Sequence, residues 1–194
     1  MRKCRYCKAE LPKKKDCTDG AQRAGFCSLD HMVEHGKAKA MEQKARAWRK
    51  EKVARKEKLK TKSDHAREAQ QAFNAWVRER DADQPCISCG RHHQGQYHAG
   101  HYRSVGSAPE LRFNVFNVNK QCVPCNVYLS SNAIDYRIGL IDKYGHEIVE
   151  AIEGHHGPKR YTADQLRRIK RIFKRRQKHQ RKINERKAQS QCWR

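Results

Sequence analysis

The sequence is poor in apolar residues and has no long hydrophobic run. Only 37% of its 194 residues are hydrophobic, and 8% are aromatic. No stretch approaches the roughly 18 apolar residues that a membrane-spanning helix needs. The charged start at Met1–Cys4 is also unlike a secretory signal. We therefore expect no membrane partner, a cytoplasmic location and too little apolar mass for a large core.

Acidic residues are scarce beside basic ones. The chain has 21 Asp and Glu against 44 Lys and Arg, which gives a formal net charge of +23. Solubility alone does not require such an excess, whereas attraction to phosphates explains it. Much of the charge lies in two segments, Lys37–Lys62 and Lys159–Lys187. The balance favours a nucleic-acid partner that two basic arms hold.

Residues 36–80 contain no proline, and Gly36 is the only glycine among them. Because this segment is rich in strong helix formers, it predicts a long, exposed basic helix, broken near Thr61–Ser63. A second helix should begin with Ser63 as its cap and end near Arg80. Its predicted buried stripe is Phe73, Trp76 and Val77.

Six of the nine cysteines form three Cys-x-x-Cys pairs. In a reducing compartment disulfides are a poor explanation, and paired thiolates suit tetrahedral zinc. The pairs Cys86/Cys89 and Cys122/Cys125 flank an insert long enough for a β-hairpin, which favours one structural zinc over a redox role. Zinc would also replace part of the missing core.

The pair Cys4/Cys7, together with Cys27 and His31, predicts a second, N-terminal zinc site. Cys27 and His31 lie four residues apart, one turn of a helix, so both can face one metal. Cys17 and His35 are rival ligands, and unligated surface thiols are the alternative interpretation. Cys192, in the tail, is expected to take no part. The predicted ligands are Cys4, Cys7, Cys27 and His31.

The pattern divides the chain into four segments: an N-terminal zinc module (1–35), a basic helical arm (36–80), a central core (81–158) and a basic C-terminal helix and tail (159–194). In the core, Tyr97–Tyr102 and Arg112–Val118 are predicted strands. A helix with a periodic apolar face should follow, and Glu147–Gly154 a shorter one. In the last segment, Thr162 and Gln165 fit a capping box. The apolar faces are Val127, Ile134, Ile138 and Ile141 in the core and Leu166, Ile169, Ile172 and Phe173 in the tail.

Between the two zinc half-sites lie residues suited to phosphodiester hydrolysis. Histidine can deprotonate water near neutral pH, and a divalent metal can neutralise charge on the phosphate. His101 on the predicted hairpin and Asn126 directly after Cys125 would face each other across a zinc-held frame. The alternatives are a buried structural or zinc-binding role for His101 and helix capping for Asn126. The pairs His92–His93 and His155–His156 are assigned surface roles.

The order of these motifs resembles the HNH (His-Me finger) nucleases, whose core is a ββα-metal unit. The likeness to that class covers about Cys86–Asn132. From the N-terminal cysteines to the basic tail, the chain resembles the lambdoid phage NinG/Rap recombination endonucleases. The residues that carry the resemblance are Cys86–Gly90, His98–Tyr102, Leu111–Phe113, Asn117, Gln121–Cys122, Cys125–Asn126, Asn132 and Tyr136–Arg137.

The resemblance implies an α+β fold: a small zinc-stapled, treble-clef-like ββα core between long basic helices, with an N-terminal zinc knuckle. It implies a structure-selective endonuclease for branched DNA such as D-loops and Holliday junctions, acting in the host cytoplasm with Mg2+ or Mn2+. His101 would be the general base, Asn117 the orienting residue and Asn126 a metal ligand. Symmetric cuts would suggest a homodimer, and recombination proteins would be further partners. Capping or turn formation is the alternative for Asn117.

One position departs from the HNH pattern. Many of those enzymes carry an acidic metal ligand directly before the base histidine, and here that residue is Gly100. His98 is the nearest substitute, but residues three apart on a regular strand face opposite ways. A bulge at Gly100 would bring His98 round; otherwise His98 would contact phosphate or support a ligand. Without a carboxylate, Mn2+ should work better than Mg2+.

A non-catalytic zinc-ribbon adaptor for nucleic acid fits the charge and the cysteines equally well. Only the constellation of His101, Asn117 and Asn126 separates the nuclease from this alternative.

Overall fold

The computed structural model describes residues 2–191, so Cys192 lies outside the described residues. The fold is dominated by helices and includes two small two-stranded sheets. The chain divides into two compact units, Met1–Leu59 and Lys60–Arg194. Among the helices of the described residues, none is both long and apolar enough to cross a membrane.

The first unit is a small cysteine-rich module followed by a long helix. Strands β1 (Arg2–Lys3) and β2 (Glu10–Leu11) pair antiparallel, and a short helix α1 (Gly20–Ala24) follows. Helix α2 (Leu29–Lys58) begins where the Ser28 side chain accepts the His31 N–H. No residue of α2 is buried, as the sparse apolar residues of this segment predicted.

Helix α3 (Lys62–Arg80) opens the second unit, and its cap differs from the predicted Ser63. Thr61 is the N-cap: its hydroxyl accepts the Asp64 N–H, and the Asp64 carboxylate accepts the Thr61 N–H. Thr61 forms this reciprocal box because an acidic residue lies three positions later, whereas Ala66 follows Ser63 at that spacing. On the predicted stripe, Phe73 and Val77 are buried and Trp76 is half-buried.

A hairpin forms the centre of the second unit. Strand β3 (Tyr97–His101) pairs antiparallel with β4 (Val118–Cys122), so that His98 lies opposite Gln121 and Gly100 opposite Asn119. The prediction of a second strand over Arg112–Val118 was wrong apart from its last residue. The Asn114 carboxamide accepts the N–H groups of Phe116 and Asn117, which closes a turn just before β4. Every residue of β4 is buried although three are polar.

The chain after β4 makes an irregular turn (Pro124–Tyr128) and then helices α4 (Ala133–Tyr144) and α5 (His146–Glu153). The predicted apolar face of α4 was wrong: Ile134 and Ile138 are 79% and 54% exposed. Tyr136 and Leu140 are buried instead. The Tyr136 hydroxyl donates to the Gly100 carbonyl and accepts the Asn119 N–H, which fixes the rotation of α4. Val127, before the helix, is half-exposed.

Helix α6 (Ala163–Gln191) packs along α3 and contributes to the main core. The Phe73 and Phe173 rings meet edge to face at 4.7 Å, next to Val118 of the hairpin. Of the predicted stripe, Leu166 and Phe173 are buried. The predicted capping box is confirmed by reciprocal hydrogen bonds between Thr162 and Gln165.

Candidate metal and catalytic site

The four predicted cysteine ligands of the second unit converge on one point. Their sulfur atoms all lie within 4.8 Å of one another. The Cys122 N–H donates to Cys86 Sγ at 3.3 Å, so the backbone itself positions the sulfurs. Helix α4 passes close by, because a Cβ at Gly139 would lie 1.9 Å from the Ile87 carbonyl oxygen. The group is Cys86, Cys89, Cys122 and Cys125.

The electrostatics of this cluster fit a bound cation. Burial raises the pKa of the Cys86 thiol, but N–H groups of Cys122, Cys89 and Ser88 donate to its sulfur and bring the pKa below its usual value. Burial, followed by the neighbouring sulfurs, raises the pKa of Cys122 to about 12. Four deprotonated sulfurs this close together would repel one another, so all four could be thiolates only around a cation. The cluster could hold zinc.

The N-terminal unit brings together the predicted second ligand set. Cys27 Sγ lies 2.8 Å from His31 Nδ1 and 3.5 Å from Cys7 Sγ. The rivals lie elsewhere: Cys17 Sγ contacts the Arg2 guanidinium at 3.1 Å, and the His35 ring packs on Phe26. This cluster could also hold zinc. Its members are Cys4, Cys7, Cys27 and His31.

One histidine that the sequence assigned to the surface lies beside the cysteine cluster of the second unit. His93 Nε2 is 3.2 Å from Cys89 Sγ, and the His93 N–H donates to the Tyr97 hydroxyl. The spacing of four residues between Cys89 and His93 was the signal that could have found it. His93 supports one sulfur of the cluster.

His98 and Asn126 meet, although the sequence predicted this contact only with a bulge at Gly100. Asn126 Nδ2 lies 2.9 Å from His98 Nδ1. The pairing of β3 with β4 is regular from Tyr97 to His101, so the bulge expected at Gly100 is absent from this hairpin. The turn that carries Cys125 reaches over the His98 side of the sheet and brings Asn126 to it. His101 follows Gly100 on the regular strand and projects from the other face, so the prediction that His101 and Asn126 face each other was wrong.

His101 has the protonation state of a base. Its Nε2 lies 3.3 Å from the Arg112 carbonyl oxygen. Because a carbonyl only accepts, Nε2 carries the proton and Nδ1 keeps its lone pair. Burial lowers the pKa of His101, and the positive charge of Arg112 lowers it further against the opposing hydrogen bond. The ring is therefore neutral near pH 7.

Asn117 holds the backbone that follows His101. It is fully buried; its Oδ1 accepts the Arg103 N–H at 2.8 Å, and its Nδ2 donates to the carbonyls of Arg103 and Leu111. The Asn117 carbonyl accepts the Tyr102 N–H at 2.9 Å. This geometry fixes the direction in which the strand end presents His101. These contacts fit both predictions for Asn117, the orienting role and turn formation.

Three further residues lie at the site, Gln121, Gly100 and Asn132; they belong to the motifs named above, but none of them was assigned a ligand or catalytic role from the sequence. Gln121 is fully buried, and its Nε2 donates to Ser88 Oγ at 2.7 Å and to the Ser131 carbonyl at 2.6 Å. Gly100 faces the Gln121 and Asn126 carboxamides. A polar residue directly before a zinc-type cysteine, on a strand, was the available signal. Asn132 borders the cluster, with Nδ2 3.8 Å from Cys125 Sγ.

Comparison with known proteins matches the sequence of this chain to a family. The pattern of the family described as "Bacteriophage Lambda NinG protein" matches residues 1–185. Curated relatives called Protein ninG occur in Escherichia phage lambda and Escherichia phage 933W, each 49% identical over 116 residues. A relative in Salmonella phage P22 is 47% identical over the same length.

The matched segment covers 60% of this chain, 57% of the lambda and P22 relatives and 58% of the 933W relative. The chain therefore spans less than two thirds of the length of these relatives. No solved structure matches significantly.

Proposed function

The chain belongs to the NinG family of bacteriophage proteins, and from this premise we propose that it is a divalent-metal-dependent DNA endonuclease with an HNH-type ββα core. Its substrates are branched recombination intermediates such as D-loops and Holliday junctions. The observation that carries the proposal is His101, a half-buried imidazole at the end of a cysteine-clamped hairpin, whose Nε2 contacts a carbonyl and whose pKa burial lowers, so that its neutral form is favoured. A protein that only binds DNA does not need a proton acceptor at this position.

In the proposed reaction, the chain's residues activate water and orient the phosphate. His101 Nδ1 takes the proton from a water molecule, which attacks phosphorus. The hydrogen bonds of Asn117 hold the strand end in place while this occurs. A bound Mg2+ or Mn2+ would neutralise charge on the phosphate and the leaving oxygen. Asn126 and His98 are the residues proposed to hold that ion, and they contact each other. Because His101 points to the other side of β3, the phosphate would lie across the end of the strand to meet both the base and the ion.

We further propose that each cysteine cluster holds a structural zinc. The sulfurs of the second unit form a buried cluster against which Tyr97 packs, in a chain with little other apolar mass. Metal bonds would there replace hydrophobic packing. The frame that carries His98, His101 and Asn126 would depend on this metal.

The basic helices are proposed to supply affinity, while the shape of the DNA supplies selectivity. Helix α2 has no buried residue, and α6 places Leu166 and Phe173 against the core and many basic side chains toward solvent. Phosphate contacts of this kind carry no base information. Grasping diverging duplex arms would then select branched substrates.

Replacing His101 by alanine tests the function directly. We expect cleavage of a four-way junction in Mg2+ or Mn2+ to fall by about 10²–10⁴-fold, the range that a general base contributes. Binding in a gel-shift assay without metal should change by less than about two-fold, because the basic helices are untouched. His156→Ala is the matched control, since His156 Nε2 also contacts a backbone carbonyl but lies outside the site.

Three outcomes separate the alternatives. Equal cutting by wild type and His101→Ala overturns the role of His101. Binding without cutting by either protein favours the zinc-ribbon adaptor. Equal cutting by wild type and His156→Ala, together with loss in His101→Ala, supports the nuclease.

The pH dependence of cleavage offers a second test. Burial lowers the pKa of His101, so its neutral, proton-accepting form persists below the usual histidine value of about 6.5. Single-turnover cleavage should rise with pH through a midpoint below about 6.5 and then level off. A midpoint above that value in wild type would contradict the assignment of His101 as the base.

A further inference from the structure

The carboxylate that is missing from the site is replaced by a specific pair of carboxamides. A Cβ at Gly100 would lie 2.1 Å from Gln121 Oε1 and 3.0 Å from Asn126 Oδ1. No side chain fits at position 100 without displacing these oxygens. The carboxamide oxygens of Gln121 and Asn126 therefore occupy the space that an acidic side chain at position 100 would need.

Gln121 Oε1 is a buried acceptor without a donor. The side chain is fully buried, and no described residue donates a hydrogen bond to this oxygen. Leaving such an atom unsatisfied costs about 1–3 kcal/mol. A native group of this kind calls for an explanation, and a bound ion is one.

The orientation of the two carboxamides is fixed by their partners. The Ser131 carbonyl only accepts, so it must face the Nε2 of Gln121. This contact leaves Oε1 pointed at Gly100. On Asn126, the contact of Nδ2 with His98 Nδ1 turns Oδ1 toward the same place.

We infer that Gln121 Oε1 and Asn126 Oδ1 together bind the catalytic divalent cation, as neutral oxygen ligands in place of the absent carboxylate. The inference rests on the proposed function insofar as the ion is the one used in cleavage. His98 then orients Asn126 through Nδ1, so that any contact of His98 with the ion would use Nε2. Gly100 leaves space for the two oxygens. Neutral ligands bind a divalent ion weakly, because affinity rises with the number of charged ligands. The substrate phosphate completes the site.

Mn2+ binding to the zinc-loaded full-length protein, without DNA, tests the inference. Free Mn2+ is measured by electron paramagnetic resonance during a titration. Gln121→Glu should bind Mn2+ at least about ten-fold more tightly, because it places a charge on a ligand. Gly100→Ala should bind at least about ten-fold more weakly, because its Cβ displaces Oε1. Gln94→Glu is the matched control: it adds the same charge in the exposed segment before β3 and should leave the affinity unchanged.

Zinc content and thermal unfolding report whether each variant keeps its fold. If Gln121→Glu does not fold, Gly100→Ala decides, because it changes only the space at the site. Unchanged Mn2+ affinity in a folded Gly100→Ala protein overturns the inference. A change in Gln94→Glu as large as that in Gln121→Glu also overturns it.

The ligand inference and the proposed function fail in different ways. If the wild type cuts branched DNA but substitution of Gln121 or Gly100 does not change Mn2+ affinity, the proposed nuclease function is supported and the proposed ligand pair is overturned. If Mn2+ affinity depends on both residues while wild type cuts no branched DNA, the ion site stands and the nuclease falls.

Discussion

If each cysteine cluster holds a zinc ion, as proposed, replacing Cys125 by serine should lower the zinc content from two ions to one per chain and should unfold the hairpin of the second unit. Structural zinc contributes about 10–16 kcal/mol in small domains, which exceeds the free energy of unfolding of many whole domains. Here Cys86, Cys122 and Cys125 themselves form a buried cluster between the hairpin and α4. Elemental analysis of zinc and circular-dichroism melting measure both effects.

The other cysteines give matched controls for this result. Cys17 is buried, like Cys125, but lies outside both ligand sets, so Cys17→Ser should keep two zinc ions per chain. Cys7→Ser should lose one zinc and leave the melting of the second unit unchanged, because its cluster belongs to the other unit. A Cys125→Ser protein with two zinc ions and a wild-type melting curve would contradict the structural role of the cluster.

The ligand sets could be predicted because their information is local. Two cysteines separated by two residues determine most of their own geometry. Cys27 lies just before the N-cap of α2 and His31 lies in its first turn, so they are close although Cys27 is outside the helix. The structure accordingly brings both predicted groups together. The partner of Asn126 was not predicted in the same way: His101 was expected to face it, and the regular strand brings His98 there instead.

The second strand could not be predicted in the same way, because its stability comes from partners far along the chain. Asn119, Lys120 and Gln121 are polar yet buried, so no apolar pattern marks β4. The Lys120 ammonium donates to the carbonyls of Ala82 and Gln84. The Asn119 carboxamide oxygen accepts from Arg80, Lys143 and the Tyr144 hydroxyl. Each partner is distant in sequence, and a window of a few residues cannot show it.

Asp81 illustrates what the sequence pattern concealed. It follows α3 and is only 3% exposed as a side chain. Its carboxylate accepts two bonds from the Arg80 guanidinium, one from Lys143 Nζ at 2.9 Å and one from the Lys120 N–H. It therefore joins the end of α3 to β4 and α4. Burial raises the pKa of Asp81, but hydrogen bonds and charge from Arg80, then Lys143, bring it below the ordinary value.

Replacing Asp81 by alanine should lower the free energy of unfolding by about 3–5 kcal/mol, the cost of removing one partner from a buried ion pair. Arg80 and Lys143 would remain largely buried, at 19% and 25% side-chain exposure, with no carboxylate between them. Burial already lowers the pKa of Lys143, and Asp81 opposes that shift. Urea unfolding at pH 7, followed by circular dichroism, measures the loss.

Asp83→Ala is the matched control, because Asp83 lies two residues later, is 68% exposed and has only a long 3.8 Å contact with Lys187. Its loss should change the free energy of unfolding by less than about 0.5 kcal/mol.

The pH dependence of the stability difference gives an independent test. Because the folded pKa of Asp81 is lowered, its stabilisation is complete above the unfolded value of about 3.9 and disappears as the pH falls through the folded pKa. The difference in stability between wild type and Asp81→Ala should therefore be constant near neutral pH and shrink in acid. A difference that grows in acid, or an Asp81→Ala protein as stable as Asp83→Ala, would show that this carboxylate does not hold the three elements together.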